Sequence, residues 1–275
     1  MVGVGTTPTQ PWETGQRDAF RGRFGEDPDA YDRTRPVAPD PLFDDIVQLA
    51  GLEPGLTVVE IGPGTGQATR PLAERGLRIL ALEIDPRLAD RARQNLVAFP
   101  DVSVRTTSFE AWDPGEATFD VVFACNSFHW VDPDIRFVKA AAVLNPQGHL
   151  VVVSTPVVVP EGASQFWWAV QDDWVAVGAE RVDPATAHPD LVDGLELAVR
   201  ASGLFEEPAV MGHRFDLTLT ADEYAANLST QSGVKELPPD AQAELVERVR
   251  RRVDAQGGTL TVHHLAVLTA AKLRN

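Results

Sequence analysis

A short turn in the sequence combines three glycines with a glutamate. The run EIGPGTG at 60–66 follows an apolar, β-branched stretch and precedes a stretch with helical periodicity. A turn from a parallel strand into a helix presents backbone N–H groups at the carboxyl edge of the sheet, and glycine permits close approach and positive φ. Gly62, Gly64 and Gly66 would supply that clearance, and Glu60 is placed to receive an ammonium group or to order a water. The turn therefore predicts a ligand pocket, with a merely structural tight turn as the alternative.

A second acidic residue follows at a spacing typical of ribose binding. Glu83 closes the next apolar run, about twenty residues after the glycines, where a carboxylate can accept both ribose hydroxyls. Gln67 stands where a dinucleotide-binding turn has its third glycine, and the Gly-Lys-Ser/Thr of a phosphate-binding loop is absent. The two tyrosines, Tyr31 and Tyr224, form no Tyr-x-x-x-Lys pair. The pattern favours a ligand with an unphosphorylated ribose over nicotinamide chemistry.

The elements that must position these residues are short apolar runs alternating with amphipathic stretches. The runs are LTVVEI at 56–61, RILALE at 78–83, VSVR at 102–105, FDVVFAC at 119–125 and HLVVVST at 149–155. Helical periodicity covers 67–75, 86–98 and 134–144, and two further strand candidates lie at 209–219 and 259–270. Strands that are apolar on both sides require a parallel sheet covered on both faces. The series predicts a doubly wound α/β fold.

The composition of the chain limits the classes of partner that it is expected to bind. The 275-residue chain has 24 basic and 40 acidic residues and a net charge of −16, which repels phosphate backbones and anionic lipid. We expect a small-molecule substrate, no nucleic acid and no membrane. Cys125 is the only cysteine, and the N-terminal MVGVGTTPTQ has neither a charged n-region nor a long apolar stretch, so we expect a reducing, cytoplasmic location.

Several motifs together resemble the class I S-adenosylmethionine-dependent methyltransferases, especially the small-molecule branch with trans-aconitate-type and ubiquinone- and menaquinone-biosynthesis-like enzymes. The motifs are VVEIGPGTGQATRPLAERG, LALEIDPRLADRAR, SFEAWDP, FDVVFACNSFHWVDPD and LNPQGHLVVV. Gln147 departs from the pattern, because relatives commonly have glycine there. The resemblance runs from about Tyr31 to the C-terminus and implies a seven-stranded, mostly parallel Rossmann-like sheet with an antiparallel last strand and a helical cap.

The resemblance also implies a cofactor and the residues that hold it. The cofactor would be S-adenosylmethionine and the product S-adenosylhomocysteine. Gly62, Gly64 and Gly66 would line the methionine part, with Glu60 beside them. Glu83, followed by Ile84, would bind the ribose. The remaining candidates are Phe109 and Glu110 at the adenine and Asn126 and Ser127 at the sulfonium. Tyr31 would lie at the cofactor's carboxylate end with Arg35 or Arg33, and solvated surface charge is the alternative for these arginines.

His129 is the candidate catalytic residue. It follows the fourth strand, at the edge of the sheet where ligands of such folds bind, and its ordinary pKa suits a general base. Methyl transfer needs a base only if the acceptor must lose a proton. The alternative is that Phe128, His129 and Trp130 pack against the cofactor or the core. No histidine shows metal-ligand spacing, so we expect no metal.

The segments outside the sheet suggest a domain organisation. Residues 1–36 are predicted to be a mobile lid that orders over the ligand, and 37–275 the methyltransferase domain, with cap insertions at about 157–189 and 220–258. Phe166, Trp167, Trp168 and Trp174 of the first insertion would either cover an apolar acceptor pocket or form core. We expect methyl transfer to an O, N or C atom of a small molecule. Non-methylating, pericyclase-like chemistry and a non-catalytic nucleotide-binding protein are the alternatives.

Overall fold

One mixed sheet organises the molecule. The computed structural model describes residues 14–159, 165–181 and 194–274. The strands are β1 Thr57–Ile61, β2 Arg78–Glu83, β3 Val102–Thr106, β4 Phe119–Cys125, β5 Leu144–Ser154, β6 Val157–Val158, β7 Ala209–Thr220 and β8 Thr259–Lys272. The doubly wound, mostly parallel sheet predicted from the sequence is confirmed.

The strand order sets the position of every loop around the site. The strands run β3-β2-β1-β4-β5-β8, with β1 to β5 parallel and β8 antiparallel to β5. β7 pairs with β8 along all twelve of its residues. The sheet has eight strands rather than seven because β6, only two residues long, pairs with β8 just beyond the end of β5. Pro156 separates β5 from β6, since proline has no N–H to donate to a sheet.

The central strands are buried on both faces, as their composition predicts. Successive side chains of a strand point to opposite faces. Val58 packs in the cluster that contains Phe43 of the helix before β1, while Val59 packs in the cluster on the other face with Phe109. Two helical layers therefore cover the sheet.

Eleven α-helices are present in the described ranges. They are α1 Thr14–Arg21, α2 Pro28–Thr34, α3 Asp40–Ala50, α4 Thr69–Glu74, α5 Pro86–Asn95, α6 Arg136–Ala142, α7 Phe166–Ala176, α8 Leu195–Ser202, α9 Ala221–Ser229, α10 Ser232–Lys235 and α11 Pro239–Ala255. None of these helices combines the length and the hydropathy needed to cross a bilayer.

A helical cap sits at the end of the β7–β8 hairpin. Helices α7, α9 and α11 share an apolar cluster with Leu260 and Val262 of β8. Phe166 and Trp167 are buried in this cluster, whereas the side chain of Trp168 is half exposed. These helices lie within the ranges 157–189 and 220–258 where cap insertions are predicted, and 160–164 and 182–189 lie outside the described residues.

The segment before α3 has regular structure that the sequence analysis did not predict. Residues 14–34 form α1, a 3-10 turn at Phe24–Glu26 and α2, all docked on the domain. Phe20 and Phe24 pack on Trp130 with ring centroids 5.4 and 5.5 Å away. The Lys235 ammonium is 2.7 Å from the Glu26 carboxylate, which links this segment to the cap. The mobility of a lid over 1–36 stays a prediction, and residues 1–13 lie outside the described part.

The docking of this segment depends on a glycine that touches a buried carboxylate. A Cβ at Gly25 would lie 2.3 Å from the carboxyl carbon of Asp85, whereas one at Gly22 would meet only carbonyl oxygens, at 3.6 Å or more. We predict that Gly25→Ala loosens residues 14–36 at a cost of about 1–3 kcal/mol, as overpacking does. Tryptic cleavage after Arg21 or Arg23 should accelerate several-fold in Gly25→Ala. Gly22→Ala is the matched control, and equal cleavage rates of the two variants would contradict the prediction.

Candidate active site

A cavity of about 580 Å³ opens at the carboxyl ends of the parallel strands. Its wall comes from the N-terminal helices, the glycine-rich turn, the ends of β2, β4 and β5, and the cap. Ten of the thirteen residues singled out from the sequence line it: Tyr31, Arg35, Glu60, Gly62, Gly64, Glu83, Ile84, Asn126, Ser127 and His129. The fold therefore brings distant sequence motifs into one site.

The glycine-rich turn provides clearance rather than free N–H donors. Gly62, Gly64 and Gly66 all have positive φ, at 64°, 60° and 95°. Their N–H groups already donate to the Leu82 carbonyl, the Glu83 carboxylate and the Pro63 carbonyl. The donors that the sequence analysis expected these glycines to offer a ligand are thus used within the protein.

Side chains at these glycines would collide with the walls of the site. A Cβ on Gly62 would lie 2.8 Å from the Ser127 Cβ, and a Cβ on Gly64 would lie 2.9 Å from the Tyr31 ring. Gly66 does not line the cavity, and its Cβ would instead meet Leu96 of the loop after α5 at 2.9 Å. Gly62 and Gly64 shape the pocket, and Gly66 allows the turn to pack.

Glu60 is a buried carboxylate whose two oxygens accept no hydrogen bond from the described residues. The Thr69 hydroxyl faces it without reaching hydrogen-bond geometry and has no partner either. Burial, and to a lesser degree the charge of Glu83, raises the pKa of Glu60 to about 7. A buried acceptor without a donor is costly, so the site is suited to a ligand that brings a cation or an N–H group.

Glu83 ties the turn to the next helix. One carboxylate oxygen accepts the Gly64 N–H at 2.9 Å and the other accepts the Asp85 N–H at 3.0 Å. Burial nevertheless raises the pKa of Glu83 to about 7. A carboxylate has further lone pairs, so Glu83 can also accept ribose hydroxyls from the cavity side.

The end of β4 forms the next part of the wall. Asn126 has φ of 55°, an uncommon conformation for a residue other than glycine. Its side chain donates to the Thr155 hydroxyl at 2.7 Å and accepts the Thr155 N–H at 2.8 Å. Ser127 donates to the Ile61 carbonyl. These bonds hold the ends of β1, β4 and β5 together beneath the cavity.

The N-terminal helices close one side of the cavity. The Tyr31 ring lies against Gly64, and the Arg35 guanidinium stacks 4.9 Å from the centroid of that ring. Arg35 also donates to the Thr230 carbonyl at the end of α9, which joins this side to the cap. Arg33 is exposed and does not line the cavity.

Two residues predicted to flank an adenine lie elsewhere. Phe109 is buried in the core against Trp112 and Phe119 side chains, and the Glu110 carboxylate pairs with Arg21 at 2.9 Å. Neither lines the cavity, where the preceding Thr107 and Ser108 stand instead. Residues 107–110 follow β3 as a turn without the regular alternation of a strand, so the sequence motif alone could not tell which of its residues faces the ligand.

His129 lies in the wall, as its position after β4 predicts. It is exposed, and its ring is 5.2 Å from that of Trp130, which is buried beneath the N-terminal helices. Among the described residues no group of three or more His, Cys, Asp or Glu side chains could hold a metal ion.

Sequence reasoning missed several residues of the wall. They are Arg21, Phe24, Arg136, Gln231, Ser232 and Glu236. A signal for the N-terminal part was present, since Asp27-Pro28 repeats the N-cap and first-turn proline of Asp85-Pro86, and both aspartates cap helices. The wall residues Gln231, Ser232 and Glu236 of the cap have no such signal in the sequence, because they lie near the site only through the long β7–β8 hairpin.

Comparisons with known proteins agree with this architecture. A family model described as a methyltransferase domain matches residues 59–152. An uncharacterized methyltransferase of Mycobacterium bovis is 32% identical over 130 residues, which are 47% of this chain and 51% of that protein. The chain thus spans about half the length of this relative.

A further relative and a solved structure are also similar to this chain. An rRNA adenine N-6-methyltransferase of Saccharopolyspora erythraea is 36% identical over 109 residues, which are 40% of this chain and 26% of that protein. The crystal structure of an S-adenosylmethionine-dependent methyltransferase from Geobacter sulfurreducens, in complex with S-adenosylhomocysteine, superimposes with a TM-score of 0.53 at 14% identity, over 92% of this chain and 98% of that one. This last likeness concerns the fold alone.

The match of residues 59–152 to a methyltransferase domain and the doubly wound sheet both agree with the resemblance to class I S-adenosylmethionine-dependent methyltransferases. The S-adenosylmethionine cofactor that this resemblance implies is part of the function proposed below.

The raised pKa of Glu60 gives a prediction about stability. Because the folded protein binds this proton more tightly than the unfolded chain, the free energy of unfolding falls as pH rises from 4.5, the ordinary pKa, to about 7. The glutamine side chain of Glu60→Gln does not titrate. We predict that the free energy of unfolding of this variant, relative to that of wild type, rises by about 2 kcal/mol between about pH 5 and about pH 8. Urea unfolding at both pH values measures this gain. The exposed Glu74→Gln is the control, and a pH-independent difference for Glu60→Gln would contradict the prediction.

Proposed function

We propose that the chain binds S-adenosylmethionine in this cavity and transfers its methyl group to an O, N or C atom of a small molecule. The observation that carries the proposal is the unpartnered Glu60 carboxylate beside the glycine-rich turn and Glu83, at the carboxyl edge of the sheet. An ammonium group would restore the ionised form of Glu60, and a ribose would lie within reach of Glu83. The residues present therefore fit the cofactor.

The protein's part in such a reaction is alignment and exclusion of water. When bound, the cofactor supplies a methyl group on a positively charged sulfur that leaves as a neutral thioether. In-line attack needs the acceptor atom held close to that methyl group. The ends of β4 and β5, clamped by Asn126 and Thr155, form a rigid floor, and the N-terminal helices and the cap close the site from above.

The closed shape of the cavity supports a small acceptor over a folded RNA. Residues of α7, α8, α9 and α10 line the side opposite the glycine-rich turn, where an acceptor would enter. The net charge of −16 opposes the contacts to many phosphates on which RNA binding depends. We extend the proposal to a cytoplasmic enzyme that binds neither RNA nor membranes.

His129 is our candidate for the proton acceptor. An acceptor hydroxyl or ammonium group loses a proton when it is methylated, and an exposed imidazole in the cavity wall can take that proton and pass it to solvent. An acceptor that is already anionic needs no base. His129→Gln should therefore slow methylation of a protonated acceptor and leave that of an anionic one unchanged.

Cofactor binding tests the proposal through a pair of matched glycine variants. Gly64 and Gly51 share a φ of 60°, but only at Gly64 would a Cβ meet another side chain, Tyr31. Both alanine variants should lose stability through backbone strain, about 1–3 kcal/mol. Only Gly64→Ala should weaken S-adenosylhomocysteine binding in isothermal titration, by roughly ten-fold or more. Absence of binding to the folded wild-type protein would overturn the proposed function.

Methyl transfer itself needs a separate measurement. Incubation with a methyl-labelled cofactor and candidate small molecules should yield labelled product together with S-adenosylhomocysteine. Cofactor binding with unlabelled but rearranged product would favour the non-methylating alternative. Cofactor binding without turnover of any candidate would favour a non-catalytic binding protein.

A further inference from the structure

Among the described residues, two arginines that line the cavity have no anionic partner: Arg35, which donates to the Thr230 carbonyl, and Arg136. Arg136 begins α6, eleven residues after the end of β4, and lines the cavity with His129 and Leu195. Its guanidinium forms no ion pair and donates no hydrogen bond to any described residue, and its Nε is out of contact with solvent. Buried or half-buried arginines normally have a carboxylate or carbonyl partner, so this guanidinium is an unfilled binding group.

Two other arginines nearby are already neutralised by carboxylates. Arg21 pairs with Glu110 at 2.9 Å, and Arg17 pairs with Asp132 at 3.1 Å. Asp132 lies four residues before Arg136, but its carboxylate does not pair with it. One oxygen pairs with Arg17, and the other accepts the Asp134 N–H at 3.0 Å. The charge of Arg17, a like charge, adds to the burial that lowers the pKa of Arg136. Arginine remains charged under these conditions, so the positive charge persists.

Two aromatic rings fix the orientation of Arg136. The guanidinium carbon lies 5.0 Å from the Phe137 ring centroid and 5.7 Å from that of Phe128. Contact of a guanidinium with aromatic rings restricts its motion and leaves the N–H groups at its edge available for in-plane hydrogen bonds. This arrangement suits a planar, bidentate anion.

We propose that Arg136 binds a carboxylate group of the methyl acceptor and so determines acceptor specificity. The inference rests on the proposed function and on the role of Arg35 at the cofactor's own carboxylate that the family resemblance implies, which leaves Arg136 for a second anion. Phe128 lies beside Arg136, and Leu195 and Ala198 of α8 supply apolar surface in the same cavity. The acceptor is therefore a carboxylic acid with an apolar or aromatic body. A doubly charged phosphate suits the site less, because Glu60 and Glu83 line the same cavity.

Matched neutral and anionic probes test this proposal. The protein is first saturated with S-adenosylhomocysteine and then titrated with phenylacetate, cinnamate and octanoate, each compared with its primary amide. At least one carboxylate should bind roughly ten-fold tighter than its amide, as a charge-assisted bidentate contact predicts. If every carboxylate binds no better than its amide, or none binds, the proposal is overturned while cofactor binding stands. If S-adenosylhomocysteine itself does not bind, the proposed function fails first.

Variants attribute the preference to Arg136. Arg136→Met keeps an unbranched apolar stem and should abolish the preference for the carboxylate without changing affinity for S-adenosylhomocysteine. Arg136→Lys should retain part of it, because an ammonium keeps the charge and loses the bidentate geometry. Arg248→Met, on the exposed face of α11, is the control for removal of an arginine. If Arg136→Met still prefers the carboxylate to the amide, the proposal is overturned. If that variant fails to fold, the comparison of acid with amide in the wild-type protein still tests the proposal.

Discussion

The site depends on one buried carboxylate that accepts two backbone hydrogen bonds. Glu83 holds the Gly64 N–H with one oxygen and the Asp85 N–H with the other, and so fixes the glycine-rich turn of β1 relative to the start of α5. Gly64 in turn receives the Tyr31 ring, and Asp85 receives the backbone of Gly25. The two contact points seat the N-terminal helices, so a single acidic side chain positions both the floor and the cover of the cavity.

The sheet could be predicted from the sequence because its strands carry their own signal. β2 and β4 begin and end where the apolar runs begin and end, since central parallel strands are buried on both faces and tolerate few polar residues. The strand candidates at 209–219 and 259–270 also came from the sequence pattern, whereas the antiparallel direction of the last strand came only from the family resemblance. The predicted positions of Glu60, Glu83 and Asn126 followed from strand ends, and all three line the cavity.

The remaining parts of the site depend on long-range contacts that leave little trace in the sequence. Helices α1 and α2 are short, and they are held by Phe20 and Phe24 packing on Trp130 and by Arg87 donating to the Gly22 carbonyl at 2.7 Å. Short helices of this kind are marginal without tertiary contacts, so periodicity alone cannot find them. The sequence did not indicate Arg136 for a different reason. An arginine at the start of a helix is usually a surface residue, and only the fold shows that this one lines the cavity.

The β7–β8 hairpin joins the sheet and the cap by an unbroken ladder. Ala270 of β8 packs in the core below the sheet, while Leu260 of the same strand packs among the cap helices, and β7 pairs with β8 over the whole distance. Bending this ladder would break backbone hydrogen bonds, whereas α1 and α2 are held by side-chain contacts that open at lower cost. The hairpin is therefore the rigid connection between the sheet and the cap, so the sheet sets the position of the wall that the cap contributes to the cavity.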